Sequence, residues 1–182
     1  MGPADQQDAA RRRRFEQLVA LVYEPLQRYL LRRGDPAEAD DVLGDVLLVL
    51  WRRLDDVPAD AALPWAYGVA RGCLANHRRG AVRQERIVLR LAAVRRPGEP
   101  EPDGALEEAL AALPDADREL LRLWAWEQLP PRELALALGI TANAASIRLH
   151  RAKQKLRNLL EARKGGDDAG HPGVRDGGGA AR

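Results

Sequence analysis

Apolar residues recur at helical spacing along most of this chain, which restricts it to a fold of packed helices. They fall three or four residues apart, as the inward face of a helix requires. No segment alternates apolar and polar residues between turn residues, as a strand would. The sequence therefore predicts an all-α fold. The helical pattern occupies residues 11–33, 36–54, 64 onward and 105–163.

Proline, glycine and acidic residues divide this pattern into two parts. The stretch RPGEPEPDG at 96–104 offers no apolar surface to bury, so we expect a flexible acidic linker. The glycine-rich residues 165–182 and the first ten residues are expected to be disordered for the same reason. The predicted architecture is two small helical domains, at 11–95 and 105–164.

Charge is balanced overall but strongly segregated. The chain has 29 basic and 27 acidic residues, a formal net charge of +2. Residues 71–96 hold eight arginines and one acid, residues 99–119 hold eight acids and one arginine, and residues 148–164 hold seven basic residues and one acid. Two basic segments favour two contacts with nucleic acid. The alternative is two solvated helix faces.

Several classes of protein are disfavoured. The one cysteine, Cys73, cannot form an internal disulfide and is expected to be a core thiol. The three histidines are scattered, so the sequence predicts no metal and no other cofactor. A glycine-rich phosphate loop and a nucleophile beside a base are both lacking, and Ser146 is the only serine. We therefore expect a protein that is not an enzyme.

The N-terminus carries arginines without the apolar stretch of a secretory signal. The sequence also has no apolar run of the ~18 residues that a membrane span needs. We therefore expect a cytoplasmic protein that does not contact a membrane.

Residues 131–160 have the pattern of a helix-turn-helix. Leu134, Ala135 and Leu138 fall on the inner face of a first helix. Gly139 permits the positive φ of a tight turn, and Thr141 can cap the second helix. The buried face of that second helix is predicted to contain Ala145, Leu149, Ala152, Leu156 and Leu159.

The opposite face of the second helix is predicted to read duplex DNA in the major groove. Asn143 suits adenine, Arg151 suits guanine, and Ile147 suits a thymine methyl group. Packing against a neighbouring helix is the alternative for Ile147. The candidate DNA-contacting residues are Asn143, Ser146, Ile147, Arg148, His150, Arg151, Lys153 and Lys155.

The segment PWAYGVARGCLANHRRG at 64–80 places aromatic residues before a run of basic residues. Rings can stack on unpaired bases while guanidinium groups hold phosphates. For Trp65 the alternative is a place in the core. The candidate residues for this second contact are Trp65, Arg71, His77, Arg78 and Arg79.

These motifs together resemble the extracytoplasmic-function (ECF) sigma factors, two-domain specificity subunits of bacterial RNA polymerase. PWAYGVARGCLANHRRG matches the family's tryptophan, alanine-arginine and terminal arginine-arginine pattern, with Asn76 where aspartate is common. The segment 113–156 matches the C-terminal domain, and RLHRA at 148–152 is its most specific part. Gln128 stands where the family often has glycine. Gly44, Asp45 and Leu47 stand where it usually has glutamine, glutamate and an aromatic residue.

The resemblance implies a role in promoter selection and promoter opening. The first domain would bind core polymerase and the minus-ten element, and the helix-turn-helix would bind the minus-thirty-five element. Members of the family are often held inactive by an anti-sigma protein, which makes such a protein a further expected partner. The residues implied in core binding are Asp40, Asp41, Asp45, Leu47 and Trp51.

Two other interpretations stay open at the level of sequence. A stand-alone helix-turn-helix regulator would need a ligand pocket or a dimerising helix, and the sequence points to neither. A helical adaptor without DNA binding is disfavoured by the RLHRA motif.

Overall fold

A computed structural model describes residues 2–88 and 104–168, and every regular element in these ranges is helical. The all-α prediction is confirmed. A 3-10 turn (Leu54–Asp56) joins the second helix to the third. The helices are α1 (Pro3–Leu31), α2 (Pro36–Arg52), α3 (Ala62–Val88), α4 (Gly104–Ala111), α5 (Asp115–Ala125), α6 (Pro131–Leu138) and α7 (Ala142–Asp168).

The N-terminal half is a three-helix bundle of α1, α2 and α3. Asp35 caps α2 at the α1–α2 corner, where its carboxylate accepts the Glu38 amide at 2.9 Å. The Glu38 carboxylate accepts a hydrogen bond from Arg78 of α3. Fully buried residues of the bundle include Val22, Leu26, Leu30, Val42, Val46, Leu50, Ala66 and Ala70.

Three helix bounds differ from the sequence prediction. Helix α1 begins at Pro3 rather than near residue 11, because the Asp5 carboxylate accepts the Gly2 amide at 2.9 Å and proline suits a first turn. Helix α3 begins at Ala62. Helix α7 continues to Asp168, past the predicted start of the tail, since each added residue gains a hydrogen bond once a helix exists. Residues 169–182 and the predicted linker up to residue 103 lie outside the described ranges.

The C-terminal half consists of α4 to α7, and its last two helices form the predicted helix-turn-helix. Gly139 has φ +66°, and the Ile140 amide donates to the Ala135 carbonyl at 3.0 Å. The Thr141 hydroxyl accepts the Ala144 amide at 3.1 Å. Leu134, in α6, is fully buried. The turn therefore has the geometry that its residues predict.

One departure from the family pattern has a structural consequence. Gln128 lies in the loop between α5 and α6 with φ +56°, in the left-handed region. A glycine reaches this conformation without steric cost, whereas a residue with a Cβ does not. The backbone at this position thus keeps a glycine-like conformation although the side chain is glutamine.

The two halves pack against each other through α3 and α6 and share one continuous apolar core. A Cβ added at Gly68 would lie 3.1 Å from the Ala137 carbonyl oxygen, so the two backbones approach closely only because residue 68 is glycine. No helix within residues 2–88 and 104–168 is long and apolar enough to cross a membrane.

Candidate nucleic-acid and polymerase interfaces

Helix α7 presents an exposed face opposite its buried alanines and leucine. Asn143, Ser146, Ile147, His150 and Arg151 are all exposed on it. Ile147 leaves 45% of its surface open, so it does not pack against a neighbouring helix. Within residues 2–88 and 104–168, Ser146 is the only one of them with an internal side-chain bond, from its hydroxyl to the Ala142 carbonyl at 3.0 Å. This face is chemically free for contact with a base edge.

Two lysines among the candidate DNA-contacting residues lie at the border with α5. Lys153 Nζ is 3.4 Å from the centroid of the Trp124 ring. Lys155 Nζ is 2.6 Å from Asp117 Oδ2. Arg148, two turns before Lys155 on the same side of α7, is exposed. The helical period of α7 could not reveal Trp124 and Asp117 as partners, because both belong to α5.

The candidate minus-ten residues of α3 do not share one face. Trp65 and Arg79 lie on the outward side of the helix, and the Arg53 guanidinium lies 5.0 Å from the centroid of the half-buried Trp65 ring. Arg79 donates to the Asn76 side chain. The positions between them on this side are Gly68, Gly72 and Asn76, three or four residues apart.

The other three candidates point elsewhere. Arg71 Nη2 donates to the Leu138 carbonyl in α6 at 3.4 Å. Arg78 donates to the Glu38 carboxylate and to the Arg33 carbonyl. His77 is half-buried on a third side of α3.

Sequence reasoning missed Arg53 and Asn76, which border a groove on the outward side of α3. The groove is also lined by Trp65 and Gly72, and by Leu136 and Gly139 from the helix-turn-helix. The spacing of Trp65, Gly68, Gly72, Asn76 and Arg79 could have identified the face. No local signal could have brought in Arg53 from α2.

Cys73 also lines this groove, as a half-buried thiol. Burial raises its pKa, and the negative charge of Asp45 raises it further. The thiol therefore stays protonated at neutral pH and reacts slowly. This agrees with the prediction of a core thiol only in part, since one side of Cys73 faces the groove.

Helix α2 carries the residues expected to bind core polymerase, on two adjacent stripes. Asp41, Asp45, Leu48 and Arg52 form one exposed stripe, and Leu48 leaves 45% of its surface open. Sequence reasoning missed Leu48 as a candidate for core binding. Its spacing of seven residues from Asp41 and three from Asp45 places it on the same face of α2.

The second stripe contains Asp40, Leu47 and Trp51. Asp40 is exposed, whereas Leu47 and Trp51 are half-buried. The Trp51 ring packs edge-on against Phe15, with centroids 5.1 Å apart, and its carbonyl accepts from Arg11 at 2.9 Å. Trp51 therefore also fixes α1 on α2.

Comparison with known proteins identifies both halves. The family described as Sigma-70 region 2 matches residues 14–84, and the family described as Sigma-70, region 4 matches residues 103–156. The ECF RNA polymerase sigma factor SigF of Caulobacter vibrioides is 31% identical over 157 residues, which cover 83% of this chain and 88% of SigF. The chain belongs to the ECF family of RNA polymerase sigma factors.

Two further relatives show the range of the similarity. The probable RNA polymerase sigma factor RfaY of Xanthomonas campestris is 30% identical over 139 residues, and the match spans only 35% of its length. The structure of CnrH in complex with the cytosolic domain of CnrY has a TM-score of 0.58 at 25% identity, covering 87% of this chain and 95% of that one.

The match of residues 14–84 to Sigma-70 region 2 disfavours the alternative interpretation as a stand-alone helix-turn-helix regulator.

Proposed function

We propose that this chain binds core RNA polymerase through α2 and two promoter elements through α3 and α7, and thereby directs transcription initiation. The observation that carries the proposal is the exposed face of α7, which presents polar, apolar and basic side chains together; in the part of the chain that the structure describes, Ser146 is the only one with an internal side-chain bond. Its role is one of binding in the cytoplasm, not of catalysis.

The minus-thirty-five contact is assigned to α7. Gly139 forms the turn before this helix and Thr141 caps it, and one face of its first turns is exposed. Asn143, Ile147 and Arg151 would read base edges, while His150, Arg148 and Ser146 would adjoin the backbone. Lys153 and Lys155 would reach phosphates only after exchanging their contacts with α5.

The minus-ten contact is assigned to the outward side of α3. Trp65 offers a ring for stacking, while Arg79 and Arg53 offer guanidinium groups for phosphates. Arg71, Arg78 and His77 are weaker candidates, because they lie on other sides of α3, where Arg71 bonds to α6 and Arg78 bonds to Glu38 and Arg33. Their use would require these internal bonds to be exchanged for phosphate.

The contact with core polymerase is assigned to α2. A substitution of Asp45 by lysine is expected to weaken association with core, because it reverses a charge at the centre of the exposed stripe. The fold should persist, since Asp45 is exposed and has no ion-pair partner within the described residues. Co-purification with core at fixed salt measures the effect.

The matched control is Glu16→Lys, which makes the same change of charge at an exposed position of α1. It is expected to leave association with core unchanged. Equal co-purification of Asp45→Lys and the unmodified chain would remove α2 from the proposed interface.

An anti-sigma protein is a further proposed partner. The proposal is supported by the similarity to CnrH, which is described in complex with the cytosolic domain of CnrY.

The experiment that tests the function is promoter-specific transcription by bacterial core polymerase with and without the purified chain. We expect specific initiation only when both are present, and poor specific DNA binding by the chain alone. Each site alone binds modestly at physiological salt, whereas polymerase makes the second contact intramolecular. Nanomolar promoter binding without polymerase would instead support a stand-alone regulator.

A further inference from the structure

We propose that Asp117 of α5 competes with DNA phosphate for Lys155 of α7, and thereby limits how tightly this helix binds DNA of any sequence. The inference rests on the proposed function for its biological consequence, because it concerns the helix assigned to the minus-thirty-five element. The competition itself belongs to two side chains and can be measured on the chain alone. Three observations carry it: the geometry of the ion pair, the place of Lys155 on α7, and the contrasting contact of Lys153.

The ion pair joins the first turn of α5 to the middle of α7. Lys155 Nζ lies 2.6 Å from Asp117 Oδ2, which is short enough for a charge-assisted hydrogen bond. The Asp117 side chain is 20% exposed, whereas the Lys155 side chain is 54% exposed. The carboxylate is therefore largely enclosed by the protein, while the lysine remains accessible to solvent. Asp117 lies in the first turn of α5, where the helix dipole favours a negative charge.

Lys155 lies on a side of α7 that borders its DNA-contacting face. It follows Arg148 by seven residues and Arg151 by four, so the three side chains lie along one side of the helix. Both arginines are exposed. A phosphate that meets this row finds two arginines and a lysine, but the charge of the lysine is already balanced by Asp117. The row thus offers DNA less positive charge than its sequence suggests.

Lys153, on the opposite flank of α7, shows that a contact with α5 need not balance a charge. Its Nζ lies 3.4 Å from the centroid of the Trp124 ring, near the other end of α5. An aromatic ring attracts an ammonium group through its quadrupole but carries no net charge. Lys153 therefore keeps its attraction for phosphate, whereas much of that of Lys155 is cancelled. The two lysines provide a comparison within one helix.

Phosphate can replace Asp117, but the gain is reduced. An ion pair that solvent reaches contributes little to stability, so the bond between Lys155 and Asp117 does not prevent exchange. Once Lys155 turns to a phosphate, however, the Asp117 carboxylate loses this cation and lies near a second negative charge. A phosphate contact normally adds affinity because it releases counterions from DNA. Part of that gain is spent here on separating Lys155 from Asp117.

The consequence is weaker binding to DNA that lacks the minus-thirty-five element. Nonspecific binding depends on phosphate contacts, whereas specific binding adds contacts to base edges. A weaker phosphate contact lowers the affinity of the free chain for random duplex and makes base contacts a larger share of the remaining affinity. The chain is then held less often on nonspecific DNA before it meets polymerase.

The test compares Asp117→Asn with Asp115→Asn in the binding of the full chain to a duplex of scrambled sequence at several salt concentrations. Both variants keep the size of the side chain and remove one negative charge from the first turn of α5. Asp115 is the matched control, because its side chain is 96% exposed and lies 3.3 Å from Arg118 of the same helix. We expect Asp117→Asn to bind several-fold more tightly than Asp115→Asn at low salt. The slope of log affinity against log salt should steepen by about 0.9, as for one added phosphate contact.

Removal of each lysine identifies the group that Asp117 restrains. Lys155→Ala should lower the affinity of the Asp117→Asn protein several-fold and that of the unmodified chain only slightly. Lys153→Ala should lower both affinities by the same factor, because its partner is the Trp124 ring. Equal affinities of Asp117→Asn and Asp115→Asn would overturn the proposal. Weaker binding by Asp117→Asn would also overturn it, since Asp117 would then position Lys155 for DNA.

These measurements use neither polymerase nor a promoter, so the two proposals can fail separately. If the unmodified chain supports no promoter-specific transcription, the proposed function is refuted and the competition stands on the binding data. If transcription is specific but Asp117→Asn and Asp115→Asn bind scrambled duplex alike, only the competition is refuted.

Discussion

Replacing Leu134 with alanine is expected to destabilise the helix-turn-helix by about 2–5 kcal/mol, through lost burial and the cavity left behind. Leu134 is fully buried in α6, which packs on both α3 and α7. Neighbouring side chains cannot collapse into the space without moving one of these helices. Hydrogen exchange at the amides of α6 and α7 measures the free energy of opening of this unit.

The control for this prediction is Leu136→Ala, two residues along the same helix. Leu136 leaves 38% of its surface exposed, so its loss should change stability by only about 0.5 kcal/mol. Both substitutions replace leucine by alanine in one short helix, and helix propensity is therefore matched. Similar losses of protection in the two variants would mean that α6 is not packed as described.

Replacing Arg151 with alanine is expected to weaken recognition of the minus-thirty-five element by about 1–3 kcal/mol, as for a lost contact to a base edge. This corresponds to about 5- to 150-fold in affinity. Arg151 is exposed on α7 and takes part in no internal hydrogen bond among the described residues. The measurement compares binding of the polymerase complex to duplexes with the intact and with a scrambled element.

Arg148→Ala is the matched control, an arginine three residues earlier on the flank of α7. A lost phosphate contact lowers the affinity for both duplexes equally. A lost base contact lowers mainly the affinity for the intact element and so reduces the ratio of the two affinities. If Arg151→Ala leaves the ratio of the two affinities unchanged, the DNA-contacting face of α7 has been assigned to the wrong side of the helix.

The features that sequence predicted best are those fixed by neighbouring residues. The turn at Gly139 and Thr141 has the predicted geometry, because caps and tight turns depend on a few adjacent side chains. The left-handed φ of Gln128 could not be predicted from the residue type, because this conformation normally indicates glycine.

The candidate sites were less completely predictable. Exposure of Asn143, Ile147 and Arg151 follows from the helical period and is confirmed. The sequence did not reveal that Arg71, Lys153 and Lys155 have partners within the protein, because each of them contacts a different helix. Leu48 and Arg53 were missed because exposure on α2 depends on how α1 and α3 cover it.

The sequence alone determined the helices, most of their ends, the helix-turn-helix and the family, because helical period and turn chemistry act over a few residues. Only the tertiary structure decided which faces remain open and how the two halves meet. Tyr29 donates a hydrogen bond to Glu119, which lies 90 positions away in the chain. Such a pair forms only when both halves have folded and their surfaces match, and no local pattern encodes that match.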